Sequence, residues 1–326
     1  MILRFVHIIA LLAGTVFGQK FTNLKEALKT PDAVVELDLS GQNLSVLPQD
    51  VYKFKNLETL ILDNNKLKEL PPAMFYQLKN LKALSLYRND FKVISPQIAL
   101  LPSLETLDLS GNELSKLPDD FAKLSKLKRL ILQENPISHF PHPILSLSEL
   151  EFLAIGGTSI KHIPEHIGKL KNLKTLILFQ NQINKLPHHL GDLAELETLA
   201  VRRNVITEIH PDLYKCTKLK ILDLAFNQIK QIPPGISALT DLDTLRLEVN
   251  FLTELPAEIG KLTTLAKLDV SKNQLQSLPA EFQNMSGLKE VCILDNTQVP
   301  AKQQAMLAVI PKGAKLCERA VVPTGK

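Results

Sequence analysis

Residues 104–126 read LETLDLSGNELSKLPDDFAKLSK, and residues 127–149 repeat the same arrangement of apolar, Asn and Pro positions. The pattern L-x-x-L-x-L-x-x-N-x-L-x-x-L-P-x-x-I-x-x-L recurs from residue 34 to about residue 299, in twelve copies. Self-similarity at a fixed period indicates a repeat architecture in which each copy is one structural unit. A single copy cannot bury its apolar face, so the copies must stack to form a core.

Each position of the repeat has a physical role. Leu107 and Leu109 alternate with polar residues, which predicts a short strand with one buried face. Pro118 ends the inward turn, and the apolar residues that follow at three-residue spacing are typical of a 3₁₀ or short helical return. Every copy is therefore expected to supply one strand and one return segment.

The ninth position is Asn in ten of the twelve copies. The turn after a strand leaves backbone donors and acceptors inside the coil, and an Asn side chain can satisfy both kinds. Gln42 and Thr158 occupy this position in the other two copies, and we expect a weaker ladder at Thr158. The predicted ladder consists of Asn65, Asn89, Asn112, Asn135, Asn181, Asn204, Asn227, Asn250, Asn273 and Asn296.

The pattern strongly resembles the leucine-rich repeat family, in its 23-residue LPxxIxxLxxL type. The resemblance implies an α/β fold: a leucine-rich repeat solenoid, or horseshoe, with a concave parallel β-sheet and 3₁₀ or short helical segments on its convex side. It also implies a general role in interaction or scaffolding. Residues 27–48, ALKTPDAVVELDLSGQNLSVLP, resemble the opening of exported bacterial members, and the Cys-rich caps of vertebrate extracellular members are missing.

The chain ends predict four segments. Residues 1–18 have the layout of a secretory signal peptide, because Arg4 precedes an apolar run over residues 5–17 that is too short to span a bilayer. The alternative is an amphipathic or buried N-terminal helix. Residues 19–33 predict a capping helix with Thr22 or Asn23 as its N-cap, residues 34–299 the repeats, and residues 300–326 a C-terminal cap and tail, with a helix over 301–310.

Cysteines and glycosylation sequons leave alternatives open. Cys292 and Cys317 could form a bridge in the C-terminal cap, and two free thiols are an equal alternative. Cys216 occupies a Leu position and is expected in the core. Asn43 and Asn284 begin glycosylation sequons, which matter only in a source that glycosylates secreted proteins.

The composition excludes several function classes. Lys plus Arg number 38 and Asp plus Glu 34, so the net charge is only +4, and carboxylates alternate with basic residues on the strand face. A nucleic-acid groove would need a concentrated basic stripe. The sequence contains none of the sought Gly-x-Ser-x-Gly, His-Glu-x-x-His or phosphate-loop motifs, so we expect no enzyme. Beyond residues 1–18 we expect no membrane segment.

Seven of the eight histidines fall between residues 139 and 210. His139 and His162 share one position in adjacent copies, as do His166 and His189, so each pair is expected about 4.8 Å apart. Two imidazoles at that distance could bridge a metal ion. Against this, these positions should be exposed and lack partners that orient the rings. We therefore expect no metal or other cofactor, and these four histidines are the alternative.

Large side chains on the solvent side of the strands are concentrated in four consecutive copies. Phe beside Arg is the composition of protein-interface hot spots, although isolated surface aromatics are also common. Ala154, Gly156 and Gly157 predict a dent beside this patch, walled by Phe179 among others. The predicted partner-binding residues are Phe179, Arg202, Arg203, Phe226, Arg246, Glu248, Val249 and Phe251, with Tyr87 and Arg88 as a smaller satellite.

The sequence thus predicts a non-enzymatic, exported leucine-rich repeat protein that binds a protein partner, or a glycan, through its concave sheet. We expect a monomer that is secreted, periplasmic or on a bacterial cell surface. If residues 1–18 are not cleaved, the alternative is a cytoplasmic scaffold like the repeat domains that engage small GTPases.

Overall fold

The computed structural model describes residues 19–297 and 299–317. The predicted signal peptide, residues 1–18, and the tail from residue 318 lie outside the described residues. The described part of the chain divides into two compact units: the first contains residues 19–137 and 141–150, and the second residues 138–140, 151–297 and 299–317. No helix among the described residues combines the length and apolar character needed to cross a membrane.

The first unit consists of parallel strands in sequence order, with short return segments between them. Its strands are β1 (Gln19–Phe21), β2 (Val34–Asp38), β3 (Thr59–Ile61), β4 (Ala83–Ser85), β5 (Thr106–Asp108) and β6 (Arg129–Ile131). Its returns are the helices α1 (Leu24–Ala27) and α2 (Pro72–Gln77) and the 3₁₀ segments Pro31–Ala33, Gln49–Lys53, Pro96–Leu100, Asp119–Lys123 and His142–Ser146.

The second unit has the same plan. Its strands are β7 (Phe152–Ala154), β8 (Thr175–Ile177), β9 (Thr198–Ala200), β10 (Ile221–Asp223), β11 (Thr244–Arg246), β12 (Lys267–Asp269), β13 (Glu290–Cys292) and β14 (Lys315–Leu316). Its returns are the 3₁₀ segments Glu165–Lys169, His188–Asp192, Pro211–Lys215, Pro234–Ala238, Ala257–Lys261 and Ala280–Asn284 and the helix α3 (Pro300–Ala308). Both units therefore have the predicted α/β solenoid architecture.

The core consists of rows in which equivalent residues of successive repeats lie side by side. Leu176, Leu199, Leu222 and Leu245 are partners in the parallel register of β8 to β11, and none of them is exposed. Burying one such side chain contributes about 2 kcal/mol, so each row stabilises the stacking of its repeats. The strand residues that face solvent are therefore not needed to pack the core.

The Asn ladder is present at all ten predicted positions. In the copy that contains Asn204, its Nδ2 donates to the carbonyl oxygens of Leu178 and Val201, at 2.9 Å each. Its Oδ1 accepts from the backbone N–H of Ile183 at 2.9 Å. One side chain thus satisfies backbone groups of its own repeat and of the preceding one. Thr158, where the ladder has no Asn, donates its hydroxyl to Asn181 Oδ1.

The residue before the ladder position has a left-handed backbone in every copy, with φ between 51° and 66°. Three copies place Gly there, which adopts this conformation without strain. Phe226 (φ 54°) and Val249 (φ 57°) are bulky residues for which the left-handed conformation costs about 1 kcal/mol or more. The turn thus imposes a conformation that some of its residues disfavour.

The chain ends of the described part are tied to the sheet. β1, which the sequence does not predict, pairs in parallel with β2, and Asn23 caps α1 by accepting from the backbone N–H groups of Lys25 and Glu26. A disulfide joins Cys292 to Cys317, the first of the two alternatives that the sequence leaves open. Cys216 is a buried free thiol, as its Leu position predicts.

Candidate partner-binding surface

The predicted binding residues of the second unit form a group on the solvent side of β8 to β11, called here the strand-face cluster. At its centre is the ring of Phe226, which has the guanidinium carbons of Arg202 and Arg203 each 5.2 Å from its centroid. Because a guanidinium is attracted to the face of an aromatic ring, these contacts hold both arginines in place. The members of the cluster are Phe179, Arg202, Arg203, Phe226, Arg246, Glu248, Val249 and Phe251.

The outer members of the cluster are accessible to a partner. Phe251 is 46% exposed, which is a large fraction for a Phe side chain, and Arg203 is also exposed. Arg202, Phe226 and Val249 are half-buried, so part of each is available at the surface. A rigid aromatic residue surrounded by fixed guanidinium groups is typical of interface hot spots.

Phe179 occupies the space where the sequence predicts a dent. A Cβ atom added to Gly156 would lie 2.7 to 2.9 Å from three atoms of the Phe179 ring. The ring therefore lies directly against the glycine, and Gly156 is buried beneath it. The dent predicted at Ala154, Gly156 and Gly157 is thus covered on this side, because Gly156 offers the ring a place to pack.

Asp223 lies beneath the arginines and has no exposed surface. Its Oδ1 accepts from the backbone N–H of Ala225 at 3.2 Å, and its Oδ2 lies 3.7 Å from Nη1 of Arg246 on the adjacent strand. Burial raises the pKa of Asp223, while this hydrogen bond and the charges of Arg202 and Arg246 act in the opposite direction. The carboxylate thus holds the Arg246 side chain on the face.

Glu248 is the carboxylate that belongs to the cluster. Burial, followed by the charges of Asp269 and Asp223, raises its pKa from 4.5 to about 7. Within the described part of the chain, Oε2 of Glu248, Oδ2 of Asp223 and Nε of Arg202 are buried without a hydrogen-bond partner. Native proteins leave few such groups unpaired, and the charge of Arg246, 3.7 Å away, partly compensates Oδ2 of Asp223.

The satellite in the first unit is less accessible. Tyr87 is only 9% exposed, and the guanidinium carbon of Arg88 lies 5.0 Å from its ring centroid. Next to it is Asp63, which the sequence did not single out as a binding residue. Its carboxylate accepts from Ser85 Oγ at 2.5 Å and from the backbone N–H of Tyr87 at 3.1 Å, and burial raises its pKa to about 6. Of the predicted pair, only Arg88 is well exposed.

The predicted histidines have contacts of their own within the repeats. Nδ1 of His189 lies 3.0 Å from Oε2 of Glu165, and His139 Nδ1 lies 2.9 Å from Ser138 Oγ. His162 and His166 are exposed. The structure instead brings His188 and His210 into ring contact, a pair that sequence reasoning missed. The available signal was His210 itself, which occupies the repeat position that is Pro187 in the preceding copy.

The repeats match a known family of proteins. The family model described as "Leucine rich repeat" matches residues 32–91, 55–114, 80–137 and 194–250, which together cover half of the chain. This chain belongs to the leucine-rich repeat family. Among curated proteins, none matches the sequence.

Solved structures of other leucine-rich repeat proteins are similar over most of this one. A leucine-rich repeat protein of Leptospira interrogans is 27% identical, with 92% of this chain and 100% of that chain covered and a TM-score of 0.71. The plant peptide hormone receptor RGFR1, in complex with RGF2, is 25% identical over 88% of this chain and 54% of that chain, with a TM-score of 0.65. An internalin of Listeria monocytogenes is 22% identical over 82% of this chain and 92% of that chain, with a TM-score of 0.61. At this identity the similarity concerns the fold only.

Glu248→Gln should make this leucine-rich repeat protein more stable at pH 8 by about 1 to 2 kcal/mol. Between pH 4.5 and about 7, folded Glu248 keeps the proton that the unfolded chain has lost, because its folded pKa is raised. The free energy of unfolding therefore falls as the pH rises through this window and stays lower above it. The amide of the variant does not titrate, so this decrease in the free energy of unfolding should not occur in the variant. Urea unfolding at pH 4.5, 6 and 8 measures it.

The control for this prediction is Glu254→Gln, an exposed carboxylate of the same repeat. This variant removes a charge that is exposed to solvent. We expect it to change the free energy of unfolding by less than about 0.5 kcal/mol at each pH. Asp63 contributes to the same pH window, so the comparison is between each variant and the parent protein at one pH. Parallel stability profiles for Glu248→Gln and the parent would contradict the prediction.

Proposed function

We propose that this is a non-enzymatic, exported leucine-rich repeat protein that binds an acidic surface of a protein partner through the strand-face cluster. The observation that carries the proposal is the ring of Phe226, which has the guanidinium carbons of Arg202 and Arg203 each 5.2 Å from its centroid. Two arginines that are ordered before binding lose less conformational entropy when a partner engages them. Aromatic and Arg residues of this kind dominate the binding energy of interfaces.

The distribution of charge favours an acidic partner. The carboxylate of Asp223 is fully buried, and the raised pKa of Glu248, about 7, leaves that side chain partly uncharged at neutral pH. Arg203 is exposed, and the side chain of Arg246 is one third exposed. The cluster therefore presents positive charge outward and keeps its negative charge beneath. Complementary charge in a partner would speed association and fix its orientation.

Family membership supports a binding role and does not name the partner, because a fold hosts many functions. The receptor RGFR1, whose structure contains RGF2, is one similar protein that binds another molecule. The proposed absence of catalysis rests on the sequence, where the sought catalytic motifs do not occur. It also agrees with the general role of the family.

Export is supported by two independent features. Residues 1–18 have the composition of a signal peptide, and the Cys292–Cys317 disulfide belongs to oxidising compartments. Mass spectrometry of the native protein should find Gln19 at the N-terminus of the extracytoplasmic form. An intact Met1 on a cytoplasmic protein would overturn export and favour the intracellular scaffold instead.

Site-specific photo-crosslinking tests the binding surface. A benzoylphenylalanine at position 251 should form a defined adduct when the protein meets the extracellular fraction of its source, because this side chain is at the exposed edge of the cluster. The matched control is the same probe at position 76, since Tyr76 is an aromatic residue with 55% exposure on α2 in the first unit. An adduct at position 76 and none at 251 would place the binding site elsewhere.

Affinity for the crosslinked partner then tests the role of charge. Arg203→Ala should weaken binding about tenfold or more, Arg203→Glu should weaken it further, and Arg203→Lys should restore only part of it, since Lys lacks the planar fork of Arg. Binding should also weaken as salt is raised. The exposed Lys230 lies outside the cluster, and Lys230→Ala should leave the affinity unchanged. Equal effects of Arg203→Ala and Lys230→Ala would contradict the proposal.

A further inference from the structure

Two imidazoles and a carboxylate meet at one place on the return segments of the second unit. The ring centroids of His188 and His210 lie 3.7 Å apart, with an angle of 51° between the rings. Nδ1 of His188 lies 3.8 Å from Oδ2 of Asp212, and Nδ1 of His210 lies 3.6 Å from the same oxygen. Two nitrogen donors and one oxygen donor thus converge, with all three potential ligand atoms within 4.8 Å of one another.

The fold brings these residues together through a close approach of two return segments. His188 begins the 3₁₀ segment His188–Asp192, while His210 and Asp212 belong to the start of the next one, Pro211–Lys215. A Cβ on Gly191 would lie only 2.1 Å from the carbonyl oxygen of Asp212. The two segments can therefore approach this closely because residue 191 has no side chain.

The donors match the preferences of a divalent metal ion such as Zn²⁺. Zinc binds imidazole nitrogen at about 2.0 to 2.1 Å and carboxylate oxygen at about 2.0 to 2.2 Å. Tetrahedral ligands at those lengths lie about 3.4 Å from one another. The observed separations of 3.6 and 3.8 Å between the nitrogens and Oδ2 are within small side-chain rotations of that value. Solvent can supply the remaining ligand, since 48% of the His188 side chain is exposed.

Neighbouring groups orient the donors before any ion binds. Lys215 Nζ donates to Oδ1 of Asp212 at 2.8 Å, which fixes the carboxylate and leaves Oδ2 directed at the histidines. The backbone N–H of Asp212 donates to Nδ1 of His210 at 3.2 Å. This hydrogen bond orients the ring, and an ion bound at Nδ1 would take its place at the lone pair of the nitrogen. Partners that orient a ligand in this way are a regular feature of metal sites.

We propose that His188, His210 and Asp212 form a binding site for a divalent transition metal ion of the zinc class. The site lies on the return segments, away from the residues of the strand-face cluster in the repeat. It does not depend on the proposed partner-binding function. With three protein ligands it is expected to bind one ion per chain.

Calorimetric titration of the tag-free, full folded chain with ZnCl₂ at neutral pH tests the proposal, together with the visible spectrum of the Co²⁺ form. We expect one equivalent of Zn²⁺ and the absorption of four-coordinate Co²⁺. His188→Asn and Asp212→Asn should each lower the affinity by at least about tenfold, and His188→Asn with His210→Asn should abolish binding. Far-UV circular dichroism shows whether each variant remains folded.

The matched control combines His139→Asn and His166→Asn, two exposed histidines outside the trio. This variant should bind zinc as the parent does. Absence of binding heat with the parent protein would overturn the proposal, and so would full affinity in His188→Asn. In the NMR spectrum, saturating Zn²⁺ should shift the imidazole resonances of His188 and His210. Shifts at His139 or His162 instead would assign the metal to a different pair and refute the trio.

Discussion

Asn204→Ala is expected to lower the free energy of unfolding by about 3 to 5 kcal/mol. The Asn204 side chain satisfies the carbonyls of Leu178 and Val201 and the N–H of Ile183, each at 2.9 Å and each buried. Alanine would leave all three backbone groups without a partner in a space that water cannot easily reach. A buried group that loses its partner costs about 1 to 3 kcal/mol. Urea unfolding followed by far-UV circular dichroism measures the loss.

The control is Asn184→Ala, three residues beyond the ladder position of the preceding repeat. Asn184 is exposed, so its replacement should change the stability by less than about 0.5 kcal/mol. Because repeats unfold partly as separate units, the transition of Asn204→Ala should also become broader. Equal stabilities of the two variants would mean that the ladder contributes little.

Gly191→Ala is expected to lower the free energy of unfolding by about 2 to 3 kcal/mol, as overpacking at a rigid contact does. The added methyl group would lie 2.1 Å from the carbonyl oxygen of Asp212 and 2.9 Å from its carbonyl carbon. Both are backbone atoms, so the two 3₁₀ segments must move apart. Thermal unfolding measures the destabilisation. Zinc titration of the same variant should show weaker binding, because Asp212 moves with its backbone.

Ser237 occupies the repeat position of Gly191 two copies further along the chain. A Cβ is already accommodated there, so Ser237→Ala should change the stability by less than about 0.5 kcal/mol. The contrast separates a local steric requirement from a general preference for small residues at this position. Wild-type stability of Gly191→Ala would show that the neighbouring segment can relax at little cost.

Most of the fold could be predicted from the sequence because the same pattern of apolar, Asn and Pro positions recurs in twelve copies. The alternation of Leu107 and Leu109 specifies a buried face, and a spacing of 23 residues, with a single step of 24, aligns equivalent residues of adjacent strands. Asn112 and its equivalents then identify the turn. Pairing of β1 with β2 was not predictable in this way, since residues 19–21 lie outside the repeat.

The surface was only partly predictable. The position of Phe226 beside Arg203 follows from the repeat, because both occupy the same place in adjacent copies. The packing of Phe179 onto Gly156 depends on a side-chain rotamer, which periodicity does not determine. Tyr87 likewise lies on the predicted face and yet is buried.

The cluster of His188, His210 and Asp212 on the return segments could not be predicted from the repeat either. Its distances depend on how closely successive 3₁₀ segments approach, and that varies with residues such as Gly191. Repeat position alone suggested pairs of histidines at identical places. The structure pairs His188 with His210, which occupy different places in their repeats.

The left-handed residue before each ladder position has an evolutionary consequence. Under selection for folding alone, random substitution should carry these positions towards Gly and Asn, which Gly41, Asn64, Gly111 and Gly157 already are. Phe226 and Val249 depart from that composition. A library of this gene selected only for solubility would therefore be expected to erase the centre of the strand-face cluster first. Positions that resist the drift when the natural partner is present would map the epitope residue by residue.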